Sequence, residues 1–88
     1  MKWTPALKDF EHYLKIERGL SQNTVNSYSL DVQKLMQYLD VHKMPLSPLK
    51  IKADAIQQFL YELAKNSNAR TQSRVISGLR SFFDYLIF

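Results

Sequence analysis

Hydrophobic residues recur every three or four positions along most of the chain, which is the spacing of one face of an α-helix. The first such segment covers residues 5–18. Its apolar face consists of Leu7, Phe10 and Leu14. Thr4 is the expected N-cap, Pro5 suits the first helical position, and Gly19 suits the left-handed residue that follows a helix. The pattern therefore predicts an amphipathic first helix.

A second helix is predicted from Ser21 or Asn23 to Asp40. Its apolar positions are Val25, Tyr28, Val32, Leu35, Met36 and Leu39. Leu30 departs from this pattern because it falls on the polar side of the helix. We expect Leu30 to pack on another helix or on a partner subunit.

Two prolines, Pro45 and Pro48, exclude a continuous helix between residues 42 and 52. This segment is predicted to be an ordered connector held on the core by three apolar residues, Leu46, Leu49 and Ile51. A third helix follows at residues 53–65, and the polar run 66–68 ends it. Its expected buried residues are Ile56, Phe59, Leu60 and Leu63.

The fourth helix is predicted from residue 69 to the end of the chain, with Asn68 as its N-cap. Its expected buried stripe consists of Val75, Ile76, Leu79, Phe82, Phe83 and Leu86. The sequence shows neither a strand pattern nor an internal repeat. The fold class is therefore predicted to be all-α, with four helices in a single domain over residues 1–88.

The composition is that of a compact domain, with 45% hydrophobic and 23% charged residues and few glycines and prolines. Cysteine is absent, which excludes a disulfide framework or a thiolate zinc site and fits a reducing cytoplasm. His12 and His42 lie thirty positions apart, so we assign no metal and no cofactor. The N-terminal residues do not resemble a signal peptide, and no segment is suited to span a membrane.

The chain carries a net charge of +4 and has a sequence pI near 9.5. This balance permits nucleic acid or an anionic surface as a partner without choosing between them. On the predicted fourth helix, the face opposite the apolar stripe carries Arg70, Arg74, Ser77 and Ser81, with Ser73 and Arg80 beside them. No acidic residue occurs between positions 66 and 83. Such a face suits a DNA major groove, although most polar helix faces are merely solvated.

The predicted start of the second helix, residues 21–29, is a second candidate for contact with DNA. These nine residues are uncharged and rich in hydroxyls and amides. A helix N-terminus presents free backbone N–H groups and a partial positive charge, which suit a phosphate. Ordinary capping explains Ser21 or Asn23 but not the whole run.

Catalysis by this chain is not expected. Its five tyrosines all fall within predicted helices, where burial of the ring with the hydroxyl at a wet edge accounts for most of them. A nucleophilic tyrosine requires cationic groups and a base around the scissile phosphate, and the sequence contains no such cluster. It also contains no Gly-rich phosphate loop and no paired-carboxylate motif.

Two strings carry a family resemblance. Residues 10–24 read FEHYLKIERGLSQNT and are followed by Tyr28, Asp31 and Val32. Residues 73–86 read SRVISGLRSFFDYL. In order and spacing the two strings resemble Xer-type tyrosine recombinases of the phage integrase family, in which ERGLS leads to NT and YxxDL, and a later RxISxLRSF motif follows. Gly78 stands where alanine is common in that family, which implies a close helix crossing.

The resemblance implies a SAM-like orthogonal bundle of four helices, the core-binding domain, which clamps one face of a recombination half-site in double-stranded DNA. A separate C-terminal domain would carry the catalytic residues, and other recombinase subunits would be partners. Arg80 would serve either as a backbone contact or as a structural ion-pair former. The full set of expected DNA-contacting residues is Ser21, Asn23, Thr24, Ser27, Arg70, Thr71, Ser73, Arg74, Ser77 and Arg80.

The apolar end at residues 85–88 suggests that the natural protein continues, and the isolated domain is expected to be a cytoplasmic monomer. A protein–protein interaction module remains an alternative, with Leu30, Ile16 and the apolar C-terminus as its contact surface. A helix-turn-helix transcription factor is disfavoured because no short Gly-containing turn separates two helices at the required spacing.

Overall fold

The computed structural model describes residues 2–87, and its regular structure is entirely α-helical over that range. The four helices are α1 (Trp3–Ile16), α2 (Gln22–Val41), α3 (Ala53–Asn66) and α4 (Ala69–Ile87). They form a flattened bundle of 34 × 30 × 19 Å, in which α4 packs mainly against α2 and α2 also packs against α1. The predicted all-α architecture of four helices is confirmed.

The first helix begins earlier than the sequence predicted. Its N-cap is Lys2, so Thr4 lies inside the first turn and the prediction that Thr4 caps the helix is wrong. Pro5 is the third helical residue rather than the first, a position where the missing N–H still costs no helical hydrogen bond. Gly19 has a φ of +64°, as expected for the residue that turns the chain from α1 into α2.

Two other predicted caps are confirmed. The Ser21 hydroxyl accepts a hydrogen bond from the Thr24 backbone N–H at 3.3 Å, which fixes the start of α2 at Gln22. The Asn68 side-chain oxygen accepts one from the Thr71 N–H at 2.9 Å, at the start of α4. Each cap supplies an acceptor to an N–H group that has no partner within its helix.

The core is formed by the predicted apolar stripes of the helices and centres on two fully buried rings, Phe10 and Phe82. These rings meet edge to face with their centroids 5.3 Å apart. Trp3 stacks on Phe82 at 5.9 Å, and its indole N–H donates a hydrogen bond to the Leu46 carbonyl. Truncating a buried phenylalanine to alanine typically costs about 3–5 kcal/mol, so these contacts supply much of the stability of so small a domain.

Two residues predicted to be buried are exposed. Ile76 on α4 is 40% exposed because it lies at the edge of the stripe formed by its neighbours Val75 and Leu79. Leu49 is 61% exposed because the connector makes a turn here, with Lys50 donating its N–H to the Ser47 carbonyl. Pro48 is buried in the connector instead, while Leu46 and Ile51 pack on the core as expected.

The crossing of α2 and α4 is tight at one position. Gly78 is buried, and a Cβ atom added to it would lie 2.9 Å from Cβ of Asp31, which is closer than real Cβ atoms come. The close helix crossing expected at Gly78 is therefore confirmed. It fixes the relative placement of the two helices that carry the candidate site.

Candidate nucleic-acid interface

The N-terminus of α2 is polar, uncharged and exposed, with no acidic residue in its first turn. Ser21 caps the Thr24 N–H, and its hydroxyl lies 3.0 Å from that of Thr24. The N–H groups of Gln22 and Asn23 have no acceptor within the helix. This first turn therefore offers backbone donors at the positive end of the helix dipole, where an anion is favoured.

The expected contact residues on this turn differ in what they offer. Asn23 and Thr24 are exposed. Ser27 is half-buried, and its hydroxyl donates a hydrogen bond to the Asn23 carbonyl at 3.1 Å. Since that bond uses the single proton of the hydroxyl, Ser27 in this conformation is an acceptor rather than a donor toward a phosphate.

The start of α4 presents cations and small hydroxyls without any acidic residue in its first turn. Arg70, Ser73 and Ser77 are exposed, whereas Thr71 is half-buried. Arg80, about three turns further on, is also exposed, and neither it nor Arg70 forms an ion pair within residues 2–87. These two arginines are therefore free cations on the described surface, each able to meet a phosphate.

Arg74 differs from the other arginines of α4 because it contacts a buried carboxylate. Its Nη2 atom lies 3.4 Å from Oδ1 of Asp31 on α2, in the sole ion pair of residues 2–87. The Asp31 side chain is only 2% exposed, whereas that of Arg74 is 47% exposed. The ion pair thus links the two helices, with the Asp31 carboxylate in the core and part of the Arg74 side chain at the surface.

The ionised form of the Asp31 carboxyl is disfavoured by burial. Burial raises the pKa of Asp31 above its ordinary value, and the cations Arg74 and Lys34 oppose that rise only in part. Oδ1 of Asp31 accepts no hydrogen bond, so its attraction to Arg74 is not reinforced by hydrogen-bond geometry. A buried carboxylate in this state depends on the Arg74 charge.

Sequence reasoning assigned no partner to Asp31, although the pattern contained the signal. Asp31 lies three residues after Tyr28 and four before Leu35, both on the apolar stripe of α2. A carboxylate on a buried stripe needs a cation or hydrogen-bond donor from a neighbouring helix. The sequence alone does not reveal which cation, because the choice depends on how α2 and α4 cross.

The two candidate surfaces lie on neighbouring elements. Asp31, which holds Arg74, follows Thr24 by seven residues on α2, a helical distance of about 10 Å. Arg74 is therefore on the side of α4 that meets α2, and Arg70 is one turn nearer the start of α4.

Tyrosines on three of the helices pack against other aromatic rings. Tyr13 and Tyr85 pack together with ring centroids 4.8 Å apart, and Phe10 contacts Tyr85 and Tyr28. The pKa of Tyr85 is raised, by burial first and then by the carboxylates of Asp9 and Glu17. This shift is opposite to the one that would activate a phenol as a nucleophile.

Residues 2–87 contain neither a cluster of potential metal ligands nor a helix suited to span a membrane. No three histidine or carboxylate side chains between residues 2 and 87 come together as metal ligands. None of the four helices combines the length and the apolar character that crossing a bilayer requires.

Known proteins are similar to this chain over nearly its full length. Residues 7–88 match the family described as "Phage integrase, N-terminal SAM-like domain". Tyrosine recombinase XerD of Oceanobacillus iheyensis is 43% identical over 83 residues, which cover 93% of this chain and 28% of that protein. Tyrosine recombinase XerC of Leptospira interrogans is 38% identical over 82 residues, 91% of this chain and 26% of the relative. XerD of Pasteurella multocida is 37% identical over 87 residues, 98% of this chain and 29% of the relative.

The chain thus spans less than a third of the length of these relatives, all of which are named tyrosine recombinases. No solved structure matches it. The resemblance to Xer-type tyrosine recombinases and the SAM-like fold class are confirmed by the family match and by these relatives. With the match covering all but the first six residues, this chain belongs to the family of phage integrase N-terminal SAM-like domains.

Proposed function

We propose that this domain binds double-stranded DNA as the gripping module of a site-specific tyrosine recombinase, holding one recombination half-site. The observation that carries the proposal is the surface where α2 and α4 meet. There Arg74 of α4 contacts Asp31 of α2, about 10 Å along that helix from Thr24, and the first turn of each helix is free of acidic residues. Duplex DNA is the polyanion that such a combination suits.

The chemistry divides between the two helices. The first turn of α2 offers backbone N–H groups and the side chains of Asn23 and Thr24 to phosphates, which fixes the register of the domain. Arg70 and Arg80 neutralise further phosphates, and Arg74 reads base edges in the major groove. With three or four phosphates neutralised, the logarithm of the binding constant should fall with the logarithm of salt concentration with a slope of about −3 to −4.

The proposal extends to the longer protein by analogy with the relatives. Strand cleavage and rejoining would belong to a separate catalytic domain, and this domain would act within an assembly of recombinase subunits on cytoplasmic DNA. The domain itself needs no cofactor in this scheme and would be a monomer when isolated. The role of this domain would be to position DNA for the catalytic domain.

Amide chemical-shift mapping of the labelled 88-residue chain tests the proposal. Adding duplex DNA should shift resonances near Thr24 and near Arg70 together, and raising salt from about 50 to 200 mM should reverse both sets. The expected result is one continuous surface across α2 and α4. Absence of shifts at either segment would refute the proposed interface.

A protein–protein interaction module is the second candidate, favoured by apolar side chains that the fold leaves in water. Ile16 is 62% exposed and Leu30 is 53% exposed. If these residues form the functional surface, replacing each with serine should abolish partner binding while duplex binding is absent in the unmodified chain. Retention of the chain on duplex DNA, lost on neutralising Arg70 but not on changing Leu30, would exclude this candidate as the main function.

A further inference from the structure

We propose that Asp31 is a positioning residue that restrains Arg74, so that Arg74 contributes to sequence preference rather than to general attraction for DNA. The proposal rests on the DNA-binding function above and adds a buried residue that does not itself contact DNA. It would explain why an acidic side chain lies between two helices that offer cations and polar groups to a polyanion.

The first support is that Asp31 has little room to move. It is buried at the α2–α4 crossing, directly against Gly78, where even one additional carbon atom on α4 would collide with its side chain. Arg74 lies one turn before Gly78 on the same helix. The carboxylate is therefore held in place, and Nη2 of Arg74 lies 3.4 Å from its Oδ1 as an ion pair without a hydrogen bond.

The second support is the exposure of Arg74. Nearly half of its side-chain surface remains accessible while Nη2 faces Asp31. A guanidinium carries five N–H donors in one plane, so the anchored group keeps donors for a further acceptor. Holding a long side chain in place before binding removes part of the entropy cost of ordering it on DNA.

The third support is electrostatic. The charged groups that act on Asp31 are Arg74 from α4 and Lys34 from α2. As an ion pair, Asp31 and Arg74 together carry no net charge, so Arg74 adds little to the attraction for any phosphate backbone. Arg70 forms no such pair within residues 2–87 and keeps its full charge for that purpose. Arg70 therefore contributes to the general attraction for DNA, and Arg74, four residues later, contributes to sequence preference.

Replacing Asp31 with asparagine tests this difference between the two arginines. The substitution keeps the shape of the side chain beside Gly78 and removes its negative charge. Arg74 then becomes an unrestrained cation. Affinity for a duplex of arbitrary sequence should rise, and the salt slope should become steeper by up to about 0.9, the contribution of one additional phosphate contact. Discrimination between preferred and random sequences should fall about ten-fold, the lower range for one well-placed base contact.

The experiment compares the unmodified chain with Asp31→Asn, Arg74→Gln and the double variant. Binding to an arbitrary duplex is measured against salt concentration, and sequence preference is measured by sequencing the bound fraction of a randomised duplex library. Asp40→Asn is the matched control, since it removes one carboxylate from an exposed position elsewhere on α2. Circular dichroism confirms that each variant is folded.

The expected result is that Asp31→Asn steepens the salt slope and flattens the preference, and that neither change occurs when Arg74 is already glutamine. Asp40→Asn should leave the preference unchanged. An unchanged slope and preference in Asp31→Asn overturns the inference while leaving DNA binding itself intact. Equal changes in the Arg74→Gln background also overturn it, since Asp31 would then not act through Arg74. If the unmodified chain does not bind duplex at all, the proposed function and this inference fail together.

Discussion

Gly78 on α4 lies against Asp31 on α2 so closely that an added Cβ would come within 2.9 Å of Cβ of Asp31. The only residue without a side chain on α4 therefore faces the only buried carboxylate on α2. Close approach of the helices shields Asp31 from water and leaves Arg74 as the cation beside it. The close packing at Gly78 therefore determines the environment of the Asp31 carboxylate.

Gly78→Ala should destabilise the domain by about 1 kcal/mol. Overpacking a tight contact costs about 1–3 kcal/mol, and the better helix propensity of alanine returns about 1 kcal/mol. Thermal unfolding measures the change. In the Asp31→Gly background, which removes the Cβ that the new methyl group would meet, the same substitution has room and should stabilise the domain instead. A stabilising effect of Gly78→Ala with Asp31 present would contradict the close crossing.

The stability of the domain should depend on pH through Asp31. Burial raises the pKa of the folded carboxyl above its unfolded value of 3.8, so folded Asp31 binds a proton more readily than unfolded Asp31. The free energy of unfolding therefore falls as pH rises from 3.8 through the folded pKa. Asp31→Asn should unfold at a higher temperature than the unmodified chain at neutral pH, and this advantage should vanish below 3.8.

Denaturant unfolding of both proteins across the acidic to neutral range measures this difference. Other titrating groups cancel in the comparison because the two chains share them. An advantage of Asp31→Asn that grows as pH falls would show that the Arg74 attraction outweighs the burial of the carboxylate.

Arg70→Ala should weaken binding to all duplex sequences alike. It removes a free cation, so the magnitude of the salt slope should decrease by about 0.9. Lys50→Ala, at an exposed position of the connector, is the matched control and should leave the slope unchanged. Fluorescence anisotropy of labelled duplex at several salt concentrations provides the measurement.

Arg74→Ala should act differently from Arg70→Ala. Loss of a restrained base contact should cost about 1–3 kcal/mol on preferred sequences and relax the preference at that position. Binding selections from a randomised duplex library compare the two variants. If both variants lose the same affinity for every duplex sequence, the proposed difference between these two arginines is refuted.

Ser21→Asp should separate helix stability from DNA binding at the start of α2. Aspartate caps a helix about as well as serine and interacts favourably with the helix dipole, so thermal stability should be unchanged or slightly higher. The added negative charge should nonetheless weaken duplex binding, because it occupies the proposed phosphate position. Gln58→Glu, at an exposed position of α3, adds the same charge elsewhere and should weaken binding less. Equal losses from both variants would argue against a phosphate at this turn.

The four helices were predictable because each amphipathic stripe is a local property. The caps at Ser21 and Asn68 depend on residues three positions apart, and the chain reversal at Gly19 depends on one residue, so the sequence is sufficient for them. The Thr4 cap failed because a helix can extend beyond its best capping residue when packing favours it. Here Trp3, the first residue of α1, stacks on Phe82, and this contact favours a helix that begins before Thr4.

The candidate site was less predictable because its geometry is not local. Helical periodicity placed Arg70 and Arg74 on one polar face but assigned neither of them an ion-pair partner. Only the crossing of α2 and α4 shows that Arg74 is paired with Asp31 and that Arg70 is not. Ile76 illustrates the same limit, since the width of a buried stripe is set by the neighbouring helix rather than by hydropathy.

Trp3 is the sole tryptophan of the chain, and it joins three separate parts of the fold. It belongs to α1, stacks on Phe82 of α4 and donates a hydrogen bond to the Leu46 carbonyl in the connector. Its emission therefore depends on all three parts being assembled. The domain consequently carries an intrinsic optical reporter of tertiary structure, distant in sequence from the residues proposed to meet DNA, that can follow unfolding without any added label.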